Sequence, residues 1–127
     1  MINMYATLML SGEKFVPEDI LHLVQSGDDV NIRKKGALGS RGRYKFKPFP
    51  KSSFHLTGDL LRVLDFIEKI NEIDVELDKK IIYITVAYKN QCNFELSPEI
   101  LLRLSRLELP FGITCYEDQN LIDEDVP

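Results

Sequence analysis

The stretch from Lys80 to Glu117, KIIYITVAYKNQCNFELSPEILLRLSRLELPFGITCYE, limits the fold more than any other part of this chain. Ile81 to Tyr88 is rich in β-branched and aromatic side chains, the composition of a strand. Alternation puts Ile82, Ile84 and Val86 on one face and Ile81, Tyr83, Thr85 and Ala87 on the other. Both faces tolerate burial, so an inner strand is expected. A polar loop over residues 89–95 leads to Ser97-Pro98-Glu99. Serine can accept from an orphan amide, proline costs nothing at the first helical position, and Glu99 faces the positive helix end. Ile100, Leu101, Leu104 and Leu107 then follow at helical spacing. Pro110 stops the helix, and Phe111 to Tyr116 reads as a second strand. A crossover of this length is most simply parallel.

The rest of the chain supplies partners for this unit. Met4 to Ser11 reads as a strand with Met4, Ala6, Leu8 and Leu10 on one face. A helix is expected from Pro17 to about Gly27, with Ile20, Leu21, Leu23 and Val24 as its apolar stripe. Its opening resembles that of the later helix (Pro17-Glu18 against Pro98-Glu99), which suggests two related strand–helix–strand units. Val30 to Lys35 reads as a short strand. Gly36, Gly39 and Gly42 punctuate a flexible loop. Tyr44, Phe46 and Phe49 suggest an edge strand, because Pro48 and Pro50 bar that segment from a central place. Ser52 to Leu56 continues it. Thr57 is the expected cap of a helix with Leu60, Val63, Leu64, Ile67 and Ile70 on its stripe, running to about Glu72. Residues 73–78 are left irregular.

These elements predict an α+β two-layer sandwich, three helices on one face of a mixed sheet of about five strands. The expected domain covers residues 1–116, followed by an acidic, flexible tail over 117–127. The helices need an aliphatic partner, so they should cover the Ala6/Leu8/Leu10 and Ile82/Ile84/Val86 face. Tyr5, Thr7, Tyr83, Thr85, Thr114 and Tyr116 then share the opposite, uncovered face.

Composition excludes some classes. The 127 residues suit one core. No apolar run is long enough for a membrane helix. The chain leads straight into a strand without a basic region before an apolar stretch, so no secretory leader is expected. Two cysteines form no disulfide framework, and a reducing cytoplasmic setting is expected. The net charge of −4 conceals an asymmetry: Val30 to Gly58 holds eight basic residues and no Asp or Glu, which leaves eight basic and twenty acidic residues elsewhere.

Catalytic patterns are thin. The two histidines, His22 and His55, pair with no Cys or Asp at a meaningful spacing. No CxxC, HExxH or tight carboxylate cluster is present, so no metal, cofactor or catalytic residue is assigned. Asp28-Asp29 reads as a turn. The Gly36–Gly42 loop lacks the GK[ST] ending of a phosphate loop. The basic segment 33–51, with Tyr44, Phe46 and Phe49 interleaved, carries the alternative of anion or nucleic-acid binding, since cations track phosphates and rings stack on bases.

Phe94-Glu95-Leu96-Ser97-Pro98-Glu99-Ile100-Leu101-Leu102-Arg103-Leu104, followed by Leu107, Leu109 and a strand ending in Cys115-Tyr116, resembles the "domain of unknown function 4279" family of small bacterial proteins. Ser11-Gly12-Glu13 closing a strand, Pro17 opening a helix and Lys35-Gly36 before a glycine loop agree with it. The family carries a tryptophan or similar aromatic after that loop; this chain has no Trp, and Phe46 or Phe54 stands there. The resemblance implies a bacterial, cytoplasmic α+β domain without an assigned reaction, and by fold-level analogy an immunity-like role. The expected function is therefore a non-enzymatic protein-interaction module, with a protein partner or a homodimer ranked above nucleic acid and no membrane. Its expected contact residues are Tyr5, Tyr83 and Tyr116 on the open sheet face and Arg33, Lys34, Lys35, Arg41 and Arg43 in the basic segment.

Overall fold

The computed structural model describes residues 2–121. Its elements are β1 (Ile2–Gly12), a 3-10 helix (Pro17–Leu23), β2 (Asp29–Arg33), a 3-10 turn (Gly42–Tyr44), β3 (Ser52–Gly58), α1 (Leu60–Ile70), β4 (Lys79–Tyr88), α2 (Pro98–Leu107) and β5 (Phe111–Glu117). The strands form one mixed sheet in the order β2-β3-β1-β4-β5. Only the β4–β5 pair is parallel, as the α2 crossover requires. β1 and β2 both run antiparallel to β3, so the first strand–helix–strand unit spans β3 and the second closes on adjacent strands.

Sidedness follows from alternation. Ala6, Leu8 and Leu10 of β1, Phe54 and Leu56 of β3, and Ile82, Ile84 and Val86 of β4 are all buried on one face. α1 lies across β1 and β3 and buries Leu60, Val63, Leu64, Phe66, Ile67 and Ile70 against them. The Phe54 and Phe66 rings stack with centroids 5.3 Å apart and planes at 9°. Ser97 Oγ accepts from the Ile100 amide at 3.2 Å and starts α2, which adds Leu104 and Leu107 to the core. Arg103 of α2 reaches Glu68 and Asp65 of α1, the latter at 2.6 Å, and ties the two helices together.

Several expectations are corrected. The segment opened by Pro17 is a 3-10 helix that ends at Leu23, short of the expected Gly27, and Val16 at its cap makes no side-chain hydrogen bond where Ser97 does. It is held from outside instead. Arg62 of α1 donates through Nε and Nη2 to both Asp28 carboxylate oxygens, at 3.1 and 2.7 Å, and Nη2 also donates to the Leu23 carbonyl at 3.0 Å. The Gln25 amide donates to the same carboxylate at 2.7 Å. Thr57 belongs to β3, and Asp59 stands at the N-cap position of α1 without a side-chain hydrogen bond.

The expected edge strand over Tyr44 to Phe49 is an ordered loop folded on itself, with Gly36 and Gly39 amides donating to the Phe49 and Lys47 carbonyls, both at 3.0 Å. Pro48 lacks a donor, and Phe46 takes a left-handed φ of 63°, so no ladder can form there. A Cβ on Gly39 would collide with the Tyr44 carbonyl, which ties that position to glycine. Ile73, Val75 and Leu77 are irregular and half-buried against the core. Glu117 ends β5, and the Asp118 amide donates to the Tyr88 carbonyl at 2.7 Å. The rest of the expected tail, 122–127, lies outside the described residues.

The Arg62–Asp28 pair makes a prediction. The Asp28 side chain is 8% exposed, and its hydrogen bond from Arg62 holds its carboxyl below the 3.8 of a free aspartate. Asp28→Asn should cost about 1.5–3 kcal/mol in urea unfolding at neutral pH, the range for a hydrogen bond to a charged group. A depressed carboxyl contributes fully above its unfolded value and loses that contribution as pH falls through the lower folded value. The wild-type advantage over Asp28→Asn should therefore shrink in acid below about pH 4; an equal gap at all pH values would refute the assignment.

Candidate binding face

The three helices lie on one face of the sheet, where Phe111 and Ile113 of the edge strand β5 stay exposed, and the register defines the other face. Reading across the strands, Tyr5 pairs with Thr85 and Thr85 with Thr114; Asp29, Thr57, Thr7, Tyr83 and Gly112 form the next row. Asn31, His55, Met9 and Ile81 form a third, and Arg33, Ser53, Ser11 and Lys79 a fourth. Most of these side chains are half-buried by their neighbours alone. Among the described strand residues on this face, Asp29 is the one carboxylate.

The tyrosines sit toward β4 and β5. Tyr83 lies over Gly112, where an added Cβ would stand 3.1 Å from its ring. Tyr116 hydrogen-bonds Tyr5, which pushes the Tyr116 hydroxyl above its ordinary pKa, with burial and the Asp118 charge adding to the rise. Between them Ala87 is buried, 1% exposed. At the middle of the sheet the Thr7 and Thr57 hydroxyls meet at 3.1 Å.

The residues of the expected basic segment have different neighbours. Lys34 turns to Glu18 at 2.5 Å, and the Lys35 amide donates to Ser52 Oγ at 2.9 Å. Arg43 is exposed on the loop. Arg33 lies on the sheet face, with its guanidinium 5.2 Å from the Phe49 ring centroid. There it meets Lys51 of the same basic segment and His55, and residues that local sequence does not single out: Ser53 from β3, Ser11 from β1 and Lys79 from β4. Together they line a concavity of about 260 Å³. A second concavity of about 230 Å³ shares Arg33 and adds Asn31, Ser40 and Arg41. No local sequence signal joins Arg33 to Lys79; only the pairing register does.

Burial, and secondarily the Arg33 charge, hold His55 below its ordinary 6.5. Burial also pushes the Cys92 thiol up, with a hydrogen bond to Cys115 adding to the effect, which disfavours a thiolate nucleophile. Among the described residues no three His, Cys, Asp or Glu side chains group as metal ligands. No described helix is long and apolar enough to cross a membrane. Comparison with family models, with curated proteins and with solved structures finds no match for this chain.

His55 tests the geometry of this face. Its proton NMR titration should have a midpoint below 6.5, and Arg33→Ala should raise that midpoint while leaving it under 6.5, because burial is the larger cause. The folded state holds this proton less tightly than the unfolded chain, so the His55 contribution to stability is present above 6.5 and lost as pH falls through the folded value. An unshifted midpoint in the wild type would place His55 away from Arg33 and in solvent.

Proposed function

We propose that the chain is a non-enzymatic interaction module that docks a protein partner on its open sheet face. One observation carries this reading: all three helices lie on the same side of the sheet, and the other side presents Tyr5, Tyr83, Tyr116, Met9 and Ile81 with no covering layer among the described residues. Tyrosine suits such a face because it buries a large ring and keeps a hydroxyl for hydrogen bonding.

Charge selects the kind of partner. Arg33, Arg41, Lys51 and Lys79 rim one end of the face, and the carboxylates of the helix layer are on the opposite side. A partner with an acidic rim is steered to this face and oriented on it. The resemblance to the domain of unknown function 4279 family supports a bacterial, cytoplasmic setting, as do the two free cysteines. An immunity-like role is one form this reading takes.

Photo-crosslinking in the host tests it. A crosslinker at position 83 should capture a single acidic protein, whereas one at Leu61, 55% exposed on the helix side, should not. Adding Lys79→Glu to the protein that carries the crosslinker at position 83 should lower the yield several-fold by charge repulsion. Self-capture at position 83 would replace the hetero-partner with a homodimer. Capture from Leu61 alone would move the docking surface to the helices and overturn the reading.

A further inference from the structure

We propose that the concavity formed by Arg33, Lys51, His55 and Lys79 with Ser11 and Ser53 is a binding site for a phosphate-class oxyanion. The site shares Arg33, Lys51 and Lys79 with the charged rim of the docking face, but a free phosphate needs neither the tyrosines nor a partner protein, so its binding is read independently of partner capture.

Four strand segments converge to build it. Arg33, Ser53, Ser11 and Lys79 are successive partners across β2, β3, β1 and β4. Neighbouring strands lie about 4.8 Å apart, so the two serine hydroxyls span the middle and the two cations close the ends. Lys51 and His55 border the same hollow of about 260 Å³. Among the described residues, none of Arg33, Lys51 and Lys79 has an ion pair with a carboxylate. This contrasts with the helix layer, where Arg62 and Arg103 are each held by acids.

Three cations around one hollow with no acid among them give it a positive potential. An oxyanion complements that potential, and the lining groups are of kinds that donate hydrogen bonds to it. The guanidinium offers several donors in a fixed plane, the ammoniums offer point charges, and the hydroxyls offer neutral donors. Arg33 is partly preorganised for this by its stacking on Phe49. The adjoining hollow of about 230 Å³, which shares Arg33 and adds Arg41, gives room for a second anionic group. A diphosphate therefore fits the pair of hollows better than a single phosphate does.

Amide-resolved NMR titration with inorganic phosphate and with pyrophosphate, against sodium chloride at matched ionic strength, decides the matter. Saturable shifts are expected at Ser11, Ser53 and His55, with pyrophosphate binding more tightly and extending the shifts to Ser40 and Arg41. The double variant Arg33→Ala, Lys79→Ala should weaken binding about tenfold or more, near 1.4 kcal/mol per tenfold. Lys14→Ala, outside the hollow, should leave it unchanged, and the circular dichroism of both variants should match the wild type. Tighter binding of phosphate than of pyrophosphate would confine the site to the first hollow. Shifts that chloride reproduces, or that the double variant retains, would overturn the proposal. Binding of a single-stranded oligonucleotide without binding of either phosphate would overturn it in favour of an extended polyanion track.

Discussion

Every other feature of this protein depends on α1 lying across β1 and β3. The Phe54–Phe66 stack is the centre of that contact, and the buried aliphatic rows of three strands surround it. Ring stacking of this kind adds about 0.5–1.5 kcal/mol to the burial of two large side chains. Once one face of the sheet is committed to α1, period-two alternation sends Tyr5, Thr7, His55 and Tyr83 to the other face. The open face is thus a consequence of the core.

The two layers also divide the charge. On the helix side, cations are held by acids: Arg62 by Asp28, Arg103 by Glu68 and Asp65. These pairs replace packing that short elements cannot provide. The 3-10 helix from Pro17 has no side-chain cap, and the guanidinium of Arg62 supplies its last carbonyl with a donor. On the sheet side, Arg33, Lys51 and Lys79 have no acid within ion-pair reach among the described residues. A chain with net charge −4 therefore carries a local positive field, which whole-chain composition conceals.

Legibility in the sequence follows the range of the interactions. Alternation in β1 and β4, the stripe of α1 and the Ser97-Pro98 start of α2 are local patterns, and the structure has them where the sequence predicts them. Phe66 escapes a reading by stripe because it lies beside the aliphatic row and stacks on the ring of Phe54, which belongs to a different element. The two proline-opened helices look alike in sequence, yet one is a 3-10 helix capped by Val16 without a side-chain bond and the other an α-helix capped by Ser97. The basic run is legible as composition, but the neighbours of its members are not. Lys34 pairs with Glu18, a contact that no local rule predicts.

The insertion of β3 between β1 and β2 explains the remaining gap. A simple β1–helix–β2 crossover would set Arg33 beside Ser11 and leave no place for Ser53 or His55. Because the chain returns through the 34–51 loop and pairs β3 into that position, β3 separates the Arg33 row from β1 by one strand width and fills the gap with small polar side chains. Small residues between two cations make a hollow rather than a ridge. The loop that makes the return is anchored by the fit of Gly39 against Tyr44 and by Phe49, the ring on which Arg33 rests. The geometry of the cationic hollow is therefore set by the same loop that carries much of the chain's positive charge, and changes in that loop act on the hollow through Arg33.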